Sequence, residues 1–597
     1  AQSKQKKKPN ILFICVDDLR RELGVYGSEV ITPNIDGLAA DGSLFLNHYA
    51  QVPTSGASRA CMLTGCLPKN KSDLSNEACK IRLSDREEGD EPETLFHQLK
   101  RNGYYTVGIG KISHYADGYL YGYSKPKSCK LELPYSWNEM LFDAGKWETG
   151  WNAFFGYSDG SNRQNRNREV KPYECADVPD DGYPDGLTAN LAVNKLKELL
   201  NKKQPFCLAV GFFKPHLPFT APKKYWDMYD EKKLLLSPTP DLPSGCSKLG
   251  FHNSDEFNGY LLGEEKASLD KRMSDVYARK LRHAYYACIS YVDAQIGKLL
   301  NVLKDTGEFD NTIIVLWGDH GWHLGDHRIW GKHTLYETAL GSALIIKAPM
   351  MKKGVRNERI VSSIDIYPTL LDLCGVQHPK GLDGHSLTEL LSDPEKASWK
   401  DVSYSYFNNG VSVRVPQYRL IQFWNGNDSV LELYRYKKDL FERKNMNEDK
   451  IVKLEKISAQ NLLFKNREAF LMDYIYTHLE LFNNLQVKKY TCIDWTSLYE
   501  ELNRLHNGFY VCLKNEFPTL TEEDLQVCCL IKSGLSTSRI ADLFCISASS
   551  ITKKKYRIRE RMNQGKEDSA AYILALDLFL MNYPQTKLSA LTNEKNS

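Results

Sequence analysis

Ser55 and Arg59 lie four residues apart in the stretch Pro53-Thr-Ser-Gly-Ala-Ser-Arg-Ala-Cys-Met-Leu-Thr-Gly65. A proline and small residues leading into an apolar pair closed by glycine predict a loop that enters a short helix ending at Gly65. On that helix the hydroxyl and the guanidinium share one face, so they can address one ligand. The free N–H groups of the first turn favour an anion in the same place. Elsewhere, Asp17-Asp18 and Asp319-His320 supply three carboxylates and an imidazole. That is a hard donor set, suited to Ca2+ or Mg2+ and ill suited to a thiolate-binding metal. Lys111 with His114, and Lys214 with His216, add cations and groups able to move protons.

These residues need elements that bring them together. Residues 10–16, 105–110, 206–213 and 312–317 are apolar runs of strand length, and each ends in polar or ionisable residues: Asp17-Asp18, Lys111 and His114, Lys214 and His216, Asp319-His320. Continuous apolar runs fit parallel strands buried on both faces. Helical patterns lie between them at 93–102, 187–200 and 273–303, so strands and helices alternate and predict a mostly parallel sheet covered on both sides. Ligands bind such sheets at the carboxyl ends of the strands. The four polar strand ends are therefore expected to share one rim, in a site built from residues as distant in sequence as Asp17 and Asp319. From about Ser403 the texture changes to short alternating segments at 412–415, 418–423 and 431–436, an antiparallel meander.

The Ser55 stretch resembles the signature of the type I sulfatases of the alkaline phosphatase superfamily, in which Cys or Ser, any residue, Pro or Ala, Ser and Arg precede a Leu-Thr-Gly ending. Here these are Ser55-Gly-Ala-Ser-Arg59 and Leu63-Thr-Gly65. Gly110-Lys-Ile-Ser-His114, residues 209–219, residues 286–297 and Asp319-His-Gly-Trp-His-Leu-Gly325 look most like the iduronate-2-sulfatase branch, and the resemblance spans about residues 9 to 446. It implies an alkaline-phosphatase-like α/β fold, with a mixed, mostly parallel sheet between helices and a small antiparallel C-terminal subdomain. It implies that a maturase converts Ser55 to formylglycine, in the serine form that anaerobic bacterial systems accept, because an unmodified serine is a poor nucleophile. One Ca2+ would be held by Asp17, Asp18, Asp319, His320 and Ser55. Arg59, Lys111 and Lys332 would clamp the sulfuryl group, and Lys214, His216 and His333 would complete the substrate-binding set. Of the family histidines, His216 is read as the leaving-group acid and His114 as the partner in hemiacetal breakdown, although the two roles can be exchanged. The implied substrate is a 2-O-sulfated uronic acid in heparin, heparan or chondroitin-type chains.

Beyond residue 450 the chain changes character. Thr521 followed by Asp524 opens an apolar-periodic helix that Gly534 ends. A second helix is expected from Ser536, and a third from Ser547 or Ser549 to Arg561 through a basic run. This stretch resembles the LuxR-type helix-turn-helix of bacterial regulators, which implies an all-α C-terminal domain with Lys553, Lys554, Lys555 and Arg557 against DNA. The expected organisation is a catalytic domain over 9–400, its antiparallel subdomain over 401–450, a helical linker over 451–515 with a closing helix at 451–463, a helix-turn-helix over 516–565 and a tail over 566–597.

Composition sets the outer limits. The 597 residues exceed one compact core. Hydrophobic and charged fractions of 42% and 26% are those of a globular protein, and 78 basic against 75 acidic residues single out no partner. No apolar run approaches the roughly 18 residues that span a membrane. The fifteen cysteines form no CxxC. Those in apolar runs, such as Cys15, Cys207 and Cys288, are expected to be buried free thiols. The start at Ala1 reads as a processed N-terminus, and the sulfatase resemblance implies a periplasmic or secreted enzyme. A helix-turn-helix would act in the cytoplasm, so the two halves cannot both work in their usual places, and the tail is read as carried passively. Two other readings compete: a phosphomonoester or phosphonate hydrolase of the same superfamily, which a second metal would favour, and a DNA-binding regulator with a sulfatase-like sensor domain.

Overall fold

Eight strands form the central sheet: β1 (Asn10–Val16), β2 (Ser43–Tyr49), β3 (Tyr105–Gly110), β4 (Glu139–Leu141), β5 (Phe206–Phe212), β6 (Thr312–Gly318), β7 (Leu344–Lys347) and β8 (Val355–Ser362). Their order is β8-β2-β7-β6-β1-β5-β3-β4. β7 runs against both neighbours, and all other pairings are parallel. The computed structural model describes residues 8–446 apart from 91, 396–397, 426–427 and 437–438. It also describes 495–563 apart from 506–507, 533–536, 538–539, 542–543 and 545, together with 576 and 580. Backbone contacts divide the chain into two units, 1–463 and 464–597.

β1 shows why these apolar runs become central strands. Every one of its residues is buried. Leu12, Ile14 and Val16 join the core that contains helices α4 (Pro184–Leu200) and α5 (Asp275–Asp305). Phe13, pointing the other way, meets Phe96 of α3 (Leu95–Arg101) edge-on at 5.6 Å. Side chains alternate across a strand, so a run apolar at every position needs cover on both faces, and it has it. α1 (Pro33–Asp41) packs with α5, and α2 (Ser55–Thr64) packs with α3 and α6 (Ile366–Leu373).

The meander is a four-stranded antiparallel sheet, β9 (Ser403–Phe407), β10 (Gly410–Val415), β11 (Tyr418–Asn425) and β12 (Asp428–Arg435), in sequential order. It is tied to the part that carries the central sheet by buried charge. Glu337 takes Arg21 and Tyr49 on one oxygen, and Arg419 of β11 and Tyr436 on the other. Its backbone also joins in, with Tyr406 N donating to the Gln51 carbonyl at 2.7 Å.

In the second unit, α7 (Trp495–Leu505), α8 (Phe509–Glu516), α9 (Glu522–Lys532) and α10 (Ala548–Asn563) share an apolar core that includes Leu498, Phe509, Val527, Ile551 and Ile558. The expected capping box is present: Asp524 N donates to Thr521 Oγ1 at 3.2 Å and Thr521 N to Asp524 Oδ2 at 3.0 Å. The expected helix at 451–463 lies outside the described residues, and the one from Ser536 lies largely so. Cys15, Cys207 and Cys288 are buried free thiols. Among the described residues no helix is long and apolar enough to cross a membrane.

Candidate active site at the carboxyl edge of the sheet

The adjacent strands β6, β1, β5 and β3 run parallel, so the segments that follow them emerge on one edge. The expected rim is there, with Asp17 and Asp18 after β1, Lys111 and His114 after β3, Lys214 and His216 after β5, and Asp319 and His320 after β6. Ser55 is the first residue of α2, and Gly65 ends that helix in the left-handed region at φ 64°. Two glycines of the motif have steric reasons. A Cβ on Gly56 would lie 2.1 Å from the Asn76 carbonyl oxygen, and one on Gly65 2.9 Å from Leu382.

Ser55 Oγ is held between Asp17 Oδ1, at 3.1 Å, and His320 Nε2, at 2.9 Å. Asp17 also receives Arg59 at 3.0 Å and the Lys111 ammonium. Burial pushes the Asp17 carboxyl up, but Lys111 and Arg59 outweigh it and hold the group well below the usual carboxylate range. Arg59 has no solvent exposure. Besides Asp17 it reaches the end of the neighbouring strand β6, with Nε 3.1 Å from Asp319 Oδ2. One of its amino groups donates to the carbonyls of Lys111 and Ile112 at 2.7 and 3.1 Å. Arg59 thus spends its donors on the framework of the site, bridging the ends of β1, β6 and β3.

Asp18, Asp319 and His320 form a second group, with one ligand atom from each lying within 4.8 Å of the others. Asp18 has a left-handed backbone, φ 56°. Burial, helped by Asp17, Glu256 and Asp319, raises its carboxyl well above the usual range against the pull of Lys332. Burial also raises Asp319, opposed by Arg59. Such crowded acids favour a cation, and two carboxylates with an imidazole fit a hard divalent ion. The Gly321 carbonyl, 3.0 Å from His320 Nδ1, takes the proton on that nitrogen and leaves the Nε2 lone pair facing Ser55. Asp17, expected among the ligands, lies outside this group, and its carboxylate faces Arg59 and Lys111.

Lys332 stands 3.0 Å from Asp18 Oδ1 and 3.6 Å from Glu256 Oε2. His216 Nδ1 donates to the Leu217 carbonyl at 2.7 Å, and Nε2 lies 3.0 Å from Glu256 Oε1. Burial and then Lys332 bring the His216 imidazole down to about 4, against Glu256. His114 is buried beside Tyr115 and Trp151, and burial and Lys111 hold it well below the usual histidine range. The other two expected substrate contacts are placed differently. Lys214 donates to the carbonyls of His216 and Pro218 at 2.9 and 2.7 Å, and His333 stacks on Phe407 of β9 with centroids 5.3 Å apart.

Two site residues carry no sequence signal. Glu256, on a short helix at Asp255–Asn258, meets both His216 and Lys332. Asp185, in the first turn of α4, accepts the N–H groups of Phe213 and Lys214 at 2.8 Å each and so sets the His216 loop. Neither belongs to a recognisable spacing, since each acts through a partner distant in sequence.

The family model described as sulfatase matches residues 9–376, and one described as the C-terminal part of N-sulphoglucosamine sulphohydrolase matches residues 325–491. A sulfatase of Formosa agariphila is 32% identical over 440 residues, 72% of this chain and 82% of that protein. Human iduronate 2-sulfatase is 29% identical over 415 residues, 62% of this chain and 70% of that protein. A phosphonate monoester hydrolase structure from Agrobacterium radiobacter superposes with a TM-score of 0.62 at 24% identity, covering 78% of this chain and 96% of that one, a likeness of fold. The likeness to iduronate-2-sulfatase is therefore moderate and shared with other sulfatases. That to LuxR-type regulators finds no support, as both matched models end by residue 491. Of the four residues expected against DNA, Lys554 pairs with Glu523 and Lys555 bonds Thr537, while Lys553 and Arg557 are exposed. The chain belongs to the sulfatase family.

Proposed function

We propose that this sulfatase removes the 2-O-sulfate of a uronic acid in glycosaminoglycan-type chains, with formylglycine made from Ser55 as nucleophile and calcium as the metal. The observation that carries this reading is the position of Ser55 Oγ, at the start of α2 between Asp17 and His320 and beside the Asp18, Asp319 and His320 group. When present, the hydrated aldehyde supplies the attacking hydroxyl and the cation polarises a sulfuryl oxygen. Asp17 orients that hydroxyl, while Lys111 and Lys332 hold the sulfuryl oxygens as charge moves toward the leaving group. His216 Nε2 protonates the departing sugar oxygen, and His114 serves the proton transfer that restores the nucleophile. A single group of metal-ligating side chains among the described residues favours sulfate over phosphate monoesters, whose extra charge suits a second metal. The sugar is inferred from the iduronate 2-sulfatase relative.

Peptide mass spectrometry across Ser55, run beside sulfate release from an unsaturated 2-O-sulfated uronate disaccharide, tests both parts. The expected result is the mass of a serine oxidised to an aldehyde together with sulfate release. A modified Ser55 with an untouched disaccharide overturns the substrate and leaves the reaction class. An unmodified Ser55 in active protein overturns the nucleophile.

A further inference from the structure

Arg163 is 8% exposed, and no carboxylate among the described residues pairs with it. Its Cζ lies 3.7 Å from the Phe155 ring centroid and 5.4 Å from that of Tyr260. Arg163 Nε is buried with no hydrogen-bond partner among the described residues, and the buried Tyr260 hydroxyl lies against the same guanidinium. A guanidinium removed from water without a counter-charge is costly, and a neutral phenol beside it does not supply one. The backbone of Arg163 is fixed on both sides, since Arg163 N donates to the Phe155 carbonyl at 3.1 Å and Arg168 N to the Arg163 carbonyl at 2.8 Å.

The place of this pair suggests its use. The Phe155 ring under Arg163 is 6.4 Å from the His216 imidazole and 5.4 Å from Tyr123, which is 42% exposed. One phenyl ring therefore links the guanidinium to the leaving-group histidine, and the same aromatic wall reaches solvent. On a pyranose, the 2-position and the carbon bearing the carboxylate face each other across the ring. A sulfate at the nucleophile thus sends the carboxylate of the same sugar away from Ser55.

We propose that Arg163 and Tyr260 recognise a carboxylate on the sulfated sugar. Stacking on Phe155 covers a face of the guanidinium and leaves its edge for the two coplanar oxygens of a carboxylate, while the phenol donates to one of them. This rests on the sulfatase reading above and assigns its specificity for a uronate.

The test measures binding and turnover separately. Calorimetry follows the unsaturated uronate disaccharide without its 2-sulfate, and the carboxyl-reduced form of the same disaccharide, on wild type and Arg163→Gln. Values of kcat/KM are taken for the 2-O-sulfated disaccharide and for 4-nitrophenyl sulfate. Wild type is expected to prefer the acid over its reduced form by about 50-fold, and Arg163→Gln to lose that preference while keeping its rate on the aryl sulfate. Tyr260→Phe, which removes one neutral donor, is expected to lose about fivefold on the acid alone. Should Arg163→Gln fail to fold, Tyr260→Phe and Arg163→Lys carry the comparison. Equal binding of the two disaccharides by wild type, or an unchanged preference in the variants, overturns the inference. An equal dependence on Arg163 for a sulfated disaccharide that lacks a carboxylate overturns the choice of carboxylate. Preference for the acid without sulfate release leaves this inference standing and refutes the 2-O-sulfatase reading.

Discussion

Replacing His216 by alanine should slow esters with poor leaving groups far more than those with good ones. Nδ1 of His216 is tied to the Leu217 carbonyl at 2.7 Å, so only Nε2 can exchange a proton with substrate. Burial and Lys332 bring the imidazole down to about 4, so near pH 7 roughly one molecule in a thousand carries the acid form. With an alkyl sulfate, kcat/KM of the wild type should fall about tenfold per pH unit between about pH 5 and 7, whereas an aryl sulfate should stay nearly flat. His216→Ala should remove a factor of about 10² to 10⁴ from the alkyl ester at the acid end, about 3 to 5 kcal/mol of barrier. Glu256→Gln adds a second check. At 3.0 Å a carboxylate stabilises the imidazolium by about 5 kcal/mol at an effective dielectric constant of 20. Solvent at its 25% exposed side chain cuts this to about 1 to 2 kcal/mol, so the acid limb should move down by about one pH unit. Steady-state rates on the two esters across pH provide the assay. Equal losses on both esters, or parallel pH profiles, would refute the acid assignment.

Arg59→Met should destabilise the first unit by about 3 to 5 kcal/mol in urea unfolding, because it strands the buried Asp319 carboxylate, and a loss below about 1 kcal/mol would contradict the bridging role. Glu337 is held far below the usual glutamate range, burial being outweighed by Arg21, Arg419 and Arg414. A depressed folded value contributes stability above the unfolded value of 4.5 that is lost as pH falls, so Glu337→Gln should be less stable than wild type at pH 7 and the gap should narrow below pH 4.5. Unfolding midpoints at several pH values check this. Since burial raises Asp18 and Asp319, a divalent cation must displace protons to bind there, and calorimetric affinity for added calcium should weaken as pH falls from about 7.5 to about 5.5. Equal affinities would argue against this ligand group.

Much of the site was legible because its signals are local. An apolar run of strand length and the polar residues after it can be read within ten residues, and parallel strands put their ends on one edge, which is why Asp17, Lys111, His216 and Asp319 meet as expected. Ser55 likewise begins its helix and Gly65 ends it because the proline, the small residues and the closing glycine lie within the segment. The meander was legible from alternation, although β9 and the full length of β12 extend beyond the segments expected.

Neighbouring residues set the chemical groups and the edge on which they gather, since strand period and direction follow from local pattern. Long-range packing fixed which charge meets which. It turned Arg59 toward Asp17 and Asp319, gave Lys214 to two carbonyls, brought Glu256 to His216, and left Arg163 on Phe155 with no carboxylate partner among the described residues. Those outcomes depend on approaches between segments far apart in the chain, and a buried charge takes whichever partner packing places within reach.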